Sequence, residues 1–162
     1  MAARLLLLVC AAAVLHSAKA QDSYGLPDSF KTGVDLALEQ LTSSSNVKLH
    51  FRFWKTVDKS EHEAGFRQKF LYHHFHLKPT RCEKGTVASN SQSCVFRNDR
   101  PLMDCAVCYK MSPEGIENNP APYVHCIQRP RLTKEMITER TQQCKKVNYT
   151  TGGATLLGLS TG

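Results

Sequence analysis

Between residues 47 and 54 the chain alternates. Val47, Leu49, Phe51 and Phe53 fall on one side, and Lys48, His50, Arg52 and Trp54 on the other. A period of two with one apolar side predicts a half-buried antiparallel strand. Upstream the period changes: Phe30, Val34, Ala37, Leu38 and Leu41 recur at helical spacing, with Lys31, Asp35 and Glu39 off the stripe. A helix is therefore expected, capped by Asp28 or Ser29 and ending in the polar turn TSSSN at 42–46. After the first strand, DKSEHEAG reads as a polar connection ending in Gly65, and a second strand is expected from about Phe66 to Leu77. Its apolar set shifts from Phe66, Phe70 and Tyr72 to Leu71, Phe75 and Leu77, which predicts a bulge or cover on both faces.

Residues 83–101 are rich in Gly, Ser, Asn and Asp and read as a long loop, its first half bracketed by Cys82 and Cys94. LMDCAVCYKM is again a strand, with Met103, Cys105, Val107, Tyr109 and Met111 on one face and Cys108 on the other. SPEGIENNPAP is turn material centred near Gly115, and Tyr123–Ile127 returns as a strand. Folding this hairpin between Gly115 and Ile116 sets Cys105 opposite Cys126, close enough for a cross-strand disulfide. Cys108 faces the other way and needs a partner among Cys82, Cys94 and Cys144. An irregular basic end follows. One helix before four antiparallel strands is an α+β arrangement in which the helix covers the sheet.

The first 20 residues alter the cysteine count. Arg4, the apolar run Leu5–Leu15 and the ending Ala18-Lys19-Ala20 have the form of a cleaved secretory signal, with cleavage expected between Ala20 and Gln21. That apolar run is too short to span a bilayer, and no later stretch is long enough. Cys10 departs with the signal, leaving six cysteines, all in the second half of a secreted chain. An even number in that setting reads as a disulfide framework. Cys105 and Cys108 lack the second close pair or finger-spaced histidines of a zinc site, and the βαβ setting of a redox dithiol.

Charge and chemistry add less. Removing residues 1–20 takes away Arg4, Lys19 and no acids, so the formal charge falls from +7 to +5 over 142 residues. That balance suits glycosaminoglycans or anionic surfaces, and without a basic run no nucleic-acid partner is expected. His73, His74 and His76 stand together, but alternation puts His73 on the opposite face, so exposed strand histidines are expected and no metal site. No Ser/His/Asp set or carboxylate pair stands out, and neither an enzyme nor a cofactor is expected. Asn148-Tyr149-Thr150 is a glycosylation sequon.

GVDLALEQL in the helix, VKLHFRF in the first strand, FHLKPTRC ending the second, CAVC and VHC in the hairpin, and the later QQC resemble the cystatin/cathelicidin-like secreted domains. Within that superfamily they are most similar to the chemerin-like family. The resemblance covers about residues 28–147. It implies a cystatin-like domain there, after a signal peptide at 1–20 and a leader at 21–27, and before a flexible tail at 148–162. It pairs Cys82 with Cys94, Cys105 with Cys126 and Cys108 with Cys144. It further implies a secreted chemoattractant and adipokine whose C-terminus is trimmed by proteases, so that the new end engages a chemokine-like G-protein-coupled receptor. The family's ending is rich in aromatic residues, whereas the tail after Cys144 here has only Tyr149. Lys145-Lys146 is read as the basic processing point, and Leu156, Leu157 and Leu159 as the apolar anchors for a receptor cavity. The same superfamily holds host-defence precursors and cysteine-protease inhibitors. The Gln-x-Val-x-Gly motif of those inhibitors is absent from the first hairpin.

Overall fold

A computed structural model of the chain describes residues 25–65, 67–85 and 93–149. Helix α1 (Asp28–Ser43) is followed by strands β1 (Leu49–Glu63), β2 (Lys69–Glu83), β3 (Met103–Ser112), β4 (Gly115–Ile116) and β5 (Tyr123–Gln128). Helix α2 (Lys134–Tyr149) comes last. The strands form one antiparallel sheet in the order β1-β2-β3, with β4 and β5 both paired to β3. The expected four-strand layout is present, its last arm divided into β4 and β5.

The helical stripe of α1 faces the sheet as its spacing requires. Phe30, Val34, Ala37 and Leu41 form the main core with Leu71, Phe75 and Leu77 of β2 and Met103, Cys105, Val107 and Tyr109 of β3. These strand residues are all odd-numbered, as a period of two demands of a single face. Gly33 lets α1 approach closely, because a Cβ there would lie 3.0 Å from Tyr109 Cε1. The Tyr109 hydroxyl donates to the Ser29 carbonyl. Neither Asp28 nor Ser29 caps the helix: Pro27 holds the cap position, its carbonyl accepting from Phe30 N at 3.0 Å and Lys31 N at 3.1 Å.

Three expectations need correction. DKSEHEAG is not a connection, since β1 continues through Glu63 and pairs with β2 out to Lys69. The distal half of β1 is exposed, so nothing there selects apolar residues, and ladder hydrogen bonds to β2 alone define the strand. β2 begins at Lys69 and runs on to Glu83, beyond the expected end at Leu77. The basic end is also not irregular. A single 3₁₀ turn at Arg129–Arg131 leads to α2, where the Thr133 hydroxyl accepts from Met136 N at 3.3 Å. α2 buries only Arg140, Cys144 and Val147. Spaced i, i+4 and i+7, these form the inward stripe of a helix.

α2 covers the even-numbered face, where Cys144 and Val147 pack with Phe70, Cys108, Tyr72 and Tyr123. β2 and β3 are thus buried from both sides, the second of the two alternatives that the shift in the β2 pattern allowed. Three disulfides join Cys82 to Cys94, Cys105 to Cys126 and Cys108 to Cys144, the pairs that the resemblance implied. Cys105 and Cys126 are directly opposite in the β3–β5 register, and Cys108 on the other face reaches α2. At the β3–β4 turn Gly115 sits at φ 130°, a conformation that favours glycine.

His73 is fully buried under α1, not exposed as expected. Its ring lies 4.5 Å from Phe75 and 5.3 Å from Phe30, and Nε2 is 2.9 Å from the Thr56 hydroxyl. Burial, then the positive charge of Lys59, lowers its pKa from 6.5 to about 4. The folded state therefore holds His73 neutral where the unfolded chain protonates it. The sign follows: stability is full above pH about 6.5 and falls as pH drops toward about 4. The expected loss is on the order of 2–3 kcal/mol, visible as a steeper decline in urea stability for wild type than for His73→Gln. Identical declines would assign the pH dependence to other groups.

Candidate functional site

Alternation along β2 sends His74 and His76 to the face opposite His73, toward α2. The β2–β3 register pairs His76 with Asp104, and β5 places His125 beside Ala106 on the other side of β3. Arg140 enters from α2, one turn before Cys144. Four elements thus bring three histidines, an aspartate and an arginine into one buried junction.

Asp104 is its centre. The carboxylate is 4% exposed and accepts from Arg140 Nη1 at 2.5 Å, from His76 Nε2 at 3.0 Å and from His74 Nε2 at 3.0 Å to either oxygen. Arg140, 5% exposed, also donates through Nη2 to the Asp104 carbonyl at 3.0 Å and the His125 carbonyl at 3.4 Å. Its Nε donates to His125 Nδ1 at 2.8 Å. That bond fixes a tautomer: His125 Nδ1 must offer its lone pair, so the ring is neutral with its proton on Nε2. An ionised Asp104 likewise requires a proton on Nε2 of both His74 and His76.

Electrostatics agree with this assignment. Burial pushes the Asp104 pKa up, but hydrogen bonds and charge from His74 and Arg140 outweigh it and hold the group well below the usual carboxylate range. Burial pushes His76 down, opposed by its hydrogen bond to Asp104. Burial, then the Arg140 charge, pushes His125 down as well. The junction therefore holds a compensated Asp104–Arg140 ion pair with imidazole donors beside it. A buried charge is tolerated only when paired and hydrogen-bonded in this way.

The expected picture of exposed histidines fails at His76, which is 5% exposed, and holds only loosely for His74, whose side chain is 22% exposed. The separation of His73 from the other two is as alternation requires. Sequence reading missed Asp104, His125 and Arg140, although the spacing of Arg140, Cys144 and Val147 carried a usable signal. Among the described residues, His74, His76 and Asp104 are the set able to hold a metal ion.

The remaining expected site residues lie elsewhere. Lys145 and Lys146 are exposed within α2, not in an open segment, and the helix continues past Val147 to Tyr149. A protease that reads extended backbone must first unwind the last turn. Asn148 is half-buried, its Oδ1 3.3 Å from His62 Nε2. Ala20, Gln21, Leu156, Leu157 and Leu159 lie outside the described residues. Among the described residues no helix is long and apolar enough to cross a membrane. No family model matches the chain, and no curated protein matches it.

Proposed function

We propose that this chain is a secreted signalling ligand of the chemerin-like kind, built on a cystatin-like domain and acting through its C-terminal segment on a chemokine-like G-protein-coupled receptor. The observation that carries the reading is the way α2 is held. Cys144 is bonded to Cys108 of β3, Val147 is buried beside it, and Arg140 is tied to Asp104. The described chain thus ends at Tyr149 in a helix fixed to the sheet, a rigid base that would lower the orientational cost of a following segment entering a receptor cavity. Leu156, Leu157 and Leu159 are its apolar anchors. Trimming by a protease within residues 150–162 exposes the active end. A cut at Lys145-Lys146, open only once the last turn of α2 unwinds, would instead release that segment from the domain. The positive formal charge favours retention on glycosaminoglycans or other anionic surfaces. The biological outcome of this reading is leukocyte chemotaxis, inflammation and adipocyte differentiation.

The test compares the full chain with a chain ending at Tyr149, both secreted from eukaryotic cells and both oxidised, for migration of receptor-bearing cells. The shortened chain keeps all of α2 and is expected to lose at least about tenfold in potency, since tenfold corresponds to only about 1.4 kcal/mol of contact. Unchanged potency would place any activity in the folded domain and refute the reading. Killing of bacteria by the released segment, without receptor dependence, would favour the host-defence branch of the resemblance.

A further inference from the structure

We propose that His74, His76 and Asp104 form a binding site for a divalent transition metal, with Zn²⁺ and Cu²⁺ the best-suited ions. Two imidazoles two residues apart on one strand and a carboxylate on its neighbour put three ligand atoms within 4.8 Å of one another. The two His–Asp distances are 3.0 Å. Around a tetrahedral ion with bonds of ~2.0–2.2 Å, ligand atoms lie about 3.4 Å apart. The carboxylate-to-imidazole distances are within a few tenths of an ångström of that, so small side-chain shifts would seat the ion. Their rings stand at 88° with centroids 6.1 Å apart, and both Nε2 atoms lie 3.0 Å from Asp104 Oδ2.

Arg140 determines how the ion would sit. It holds Asp104 Oδ1, while Oδ2 faces both imidazoles. The metal takes His74 Nε2, His76 Nε2 and Asp104 Oδ2, and the guanidinium stays on Oδ1 as the carboxylate's supporting partner. With Asp104 neutralised by Arg140, the donor set carries no net charge, as in a three-histidine site that keeps a fourth position for water. The partly exposed side chain of His74 supplies the route of entry. Bound through Nε2, each neutral ring carries its single N–H proton on Nδ1: a ring that starts as the Nε2–H tautomer shifts that proton to Nδ1, with no net release. An N₂O donor set of this kind ranks Cu²⁺ above Zn²⁺ and disfavours Ca²⁺ and Mg²⁺.

The site is separate from the receptor-binding reading and survives its failure. Full-length oxidised protein, stripped with a chelator and dialysed into a non-coordinating buffer at neutral pH, is titrated with ZnCl₂ by calorimetry. The expected result is one ion per chain, a rise in Tm with added Zn²⁺ and none with Mg²⁺, and a tetrahedral visible spectrum when Co²⁺ is substituted. His74→Gln and His76→Gln should each weaken binding by more than the about 10–100-fold typical of losing a supporting partner. Substituting His62, which lies elsewhere on the surface, should change nothing. His74→Gln alone decides the matter if His76→Gln does not fold. Absence of binding in wild type, or equal affinity in wild type and His74→Gln, would overturn the proposal.

Discussion

Replacing Arg140 by alanine is expected to destabilise the folded protein by about 3–5 kcal/mol, the loss typical when one partner of a buried ion pair is removed. Asp104 cannot move into water, because β2, β5 and α2 enclose it and only 3% of the residue is exposed. After the substitution its remaining side-chain donors are His74 and His76. They soften the loss without cancelling it, because neither replaces the fixed charge of the guanidinium. The His125 ring also loses the donor that fixes its tautomer. Urea unfolding at pH 7.5 with the disulfides intact measures the effect. The double substitution Asp104→Leu with Arg140→Met removes both charges and should cost much less than Arg140→Ala alone. A loss below about 1 kcal/mol for Arg140→Ala would mean that Asp104 finds water, contrary to the buried junction described here.

The disulfide between Cys108 and Cys144 is expected to contribute more than the one between Cys82 and Cys94. The first closes a separation of 36 residues and the second a separation of 12. Loop-closure entropy alone gives about 3–4 kcal/mol for the longer loop and a little under 3 for the shorter. Burial widens the difference: Cys108 is 0% and Cys144 6% exposed, and their sulfurs pack beside Phe70 and Val147. Removing both with alanine leaves a void as well as a longer unfolded loop, for a total within about 2–5 kcal/mol. Cys82 is only half-buried, so Cys82→Ala with Cys94→Ala should show the smaller effect. Equal losses, or the reverse order, would show that α2 is not fixed through Cys144.

How much of this was legible in the sequence depends on which side chains an element buries. α1 could be read because Phe30, Val34, Ala37 and Leu41 are apolar, helically spaced and all buried. The β3–β5 register was read by folding the hairpin between Gly115 and Ile116, which sets Cys105 opposite Cys126 as observed. The tight turn itself pairs Ser112 with Gly115, and residues 117–122 supply the four-residue shift between β4 and β5. The outer half of β1 was hidden, since a strand exposed on both sides needs no apolar residues. α2 was hidden for a related reason. Two of its three buried residues are an arginine and a cysteine, which a search for apolar periodicity passes over. The site was then hidden with it. Alternation placed His74 and His76 together, but their burial came from α2, and Arg140 made sense of a buried Asp104 only once α2 was known to cover it. The chemistry had been visible as types of residue and not as a place.

That α2 belongs to the fixed part of the domain underlies both the functional reading and the buried junction. Native-state hydrogen exchange tests this directly. In wild type the amides of residues 140–147 should exchange nearly as slowly as those of β3, because α2 opens only when the Arg140–Asp104 pair and the Cys108–Cys144 bond allow it. In Cys108→Ala with Cys144→Ala, protection should fall in α2 well before it falls in α1 or β3. Rapid exchange throughout α2 in the oxidised wild-type protein would contradict the account, since a helix that frays freely could neither shield Asp104 nor hold the chain that follows it.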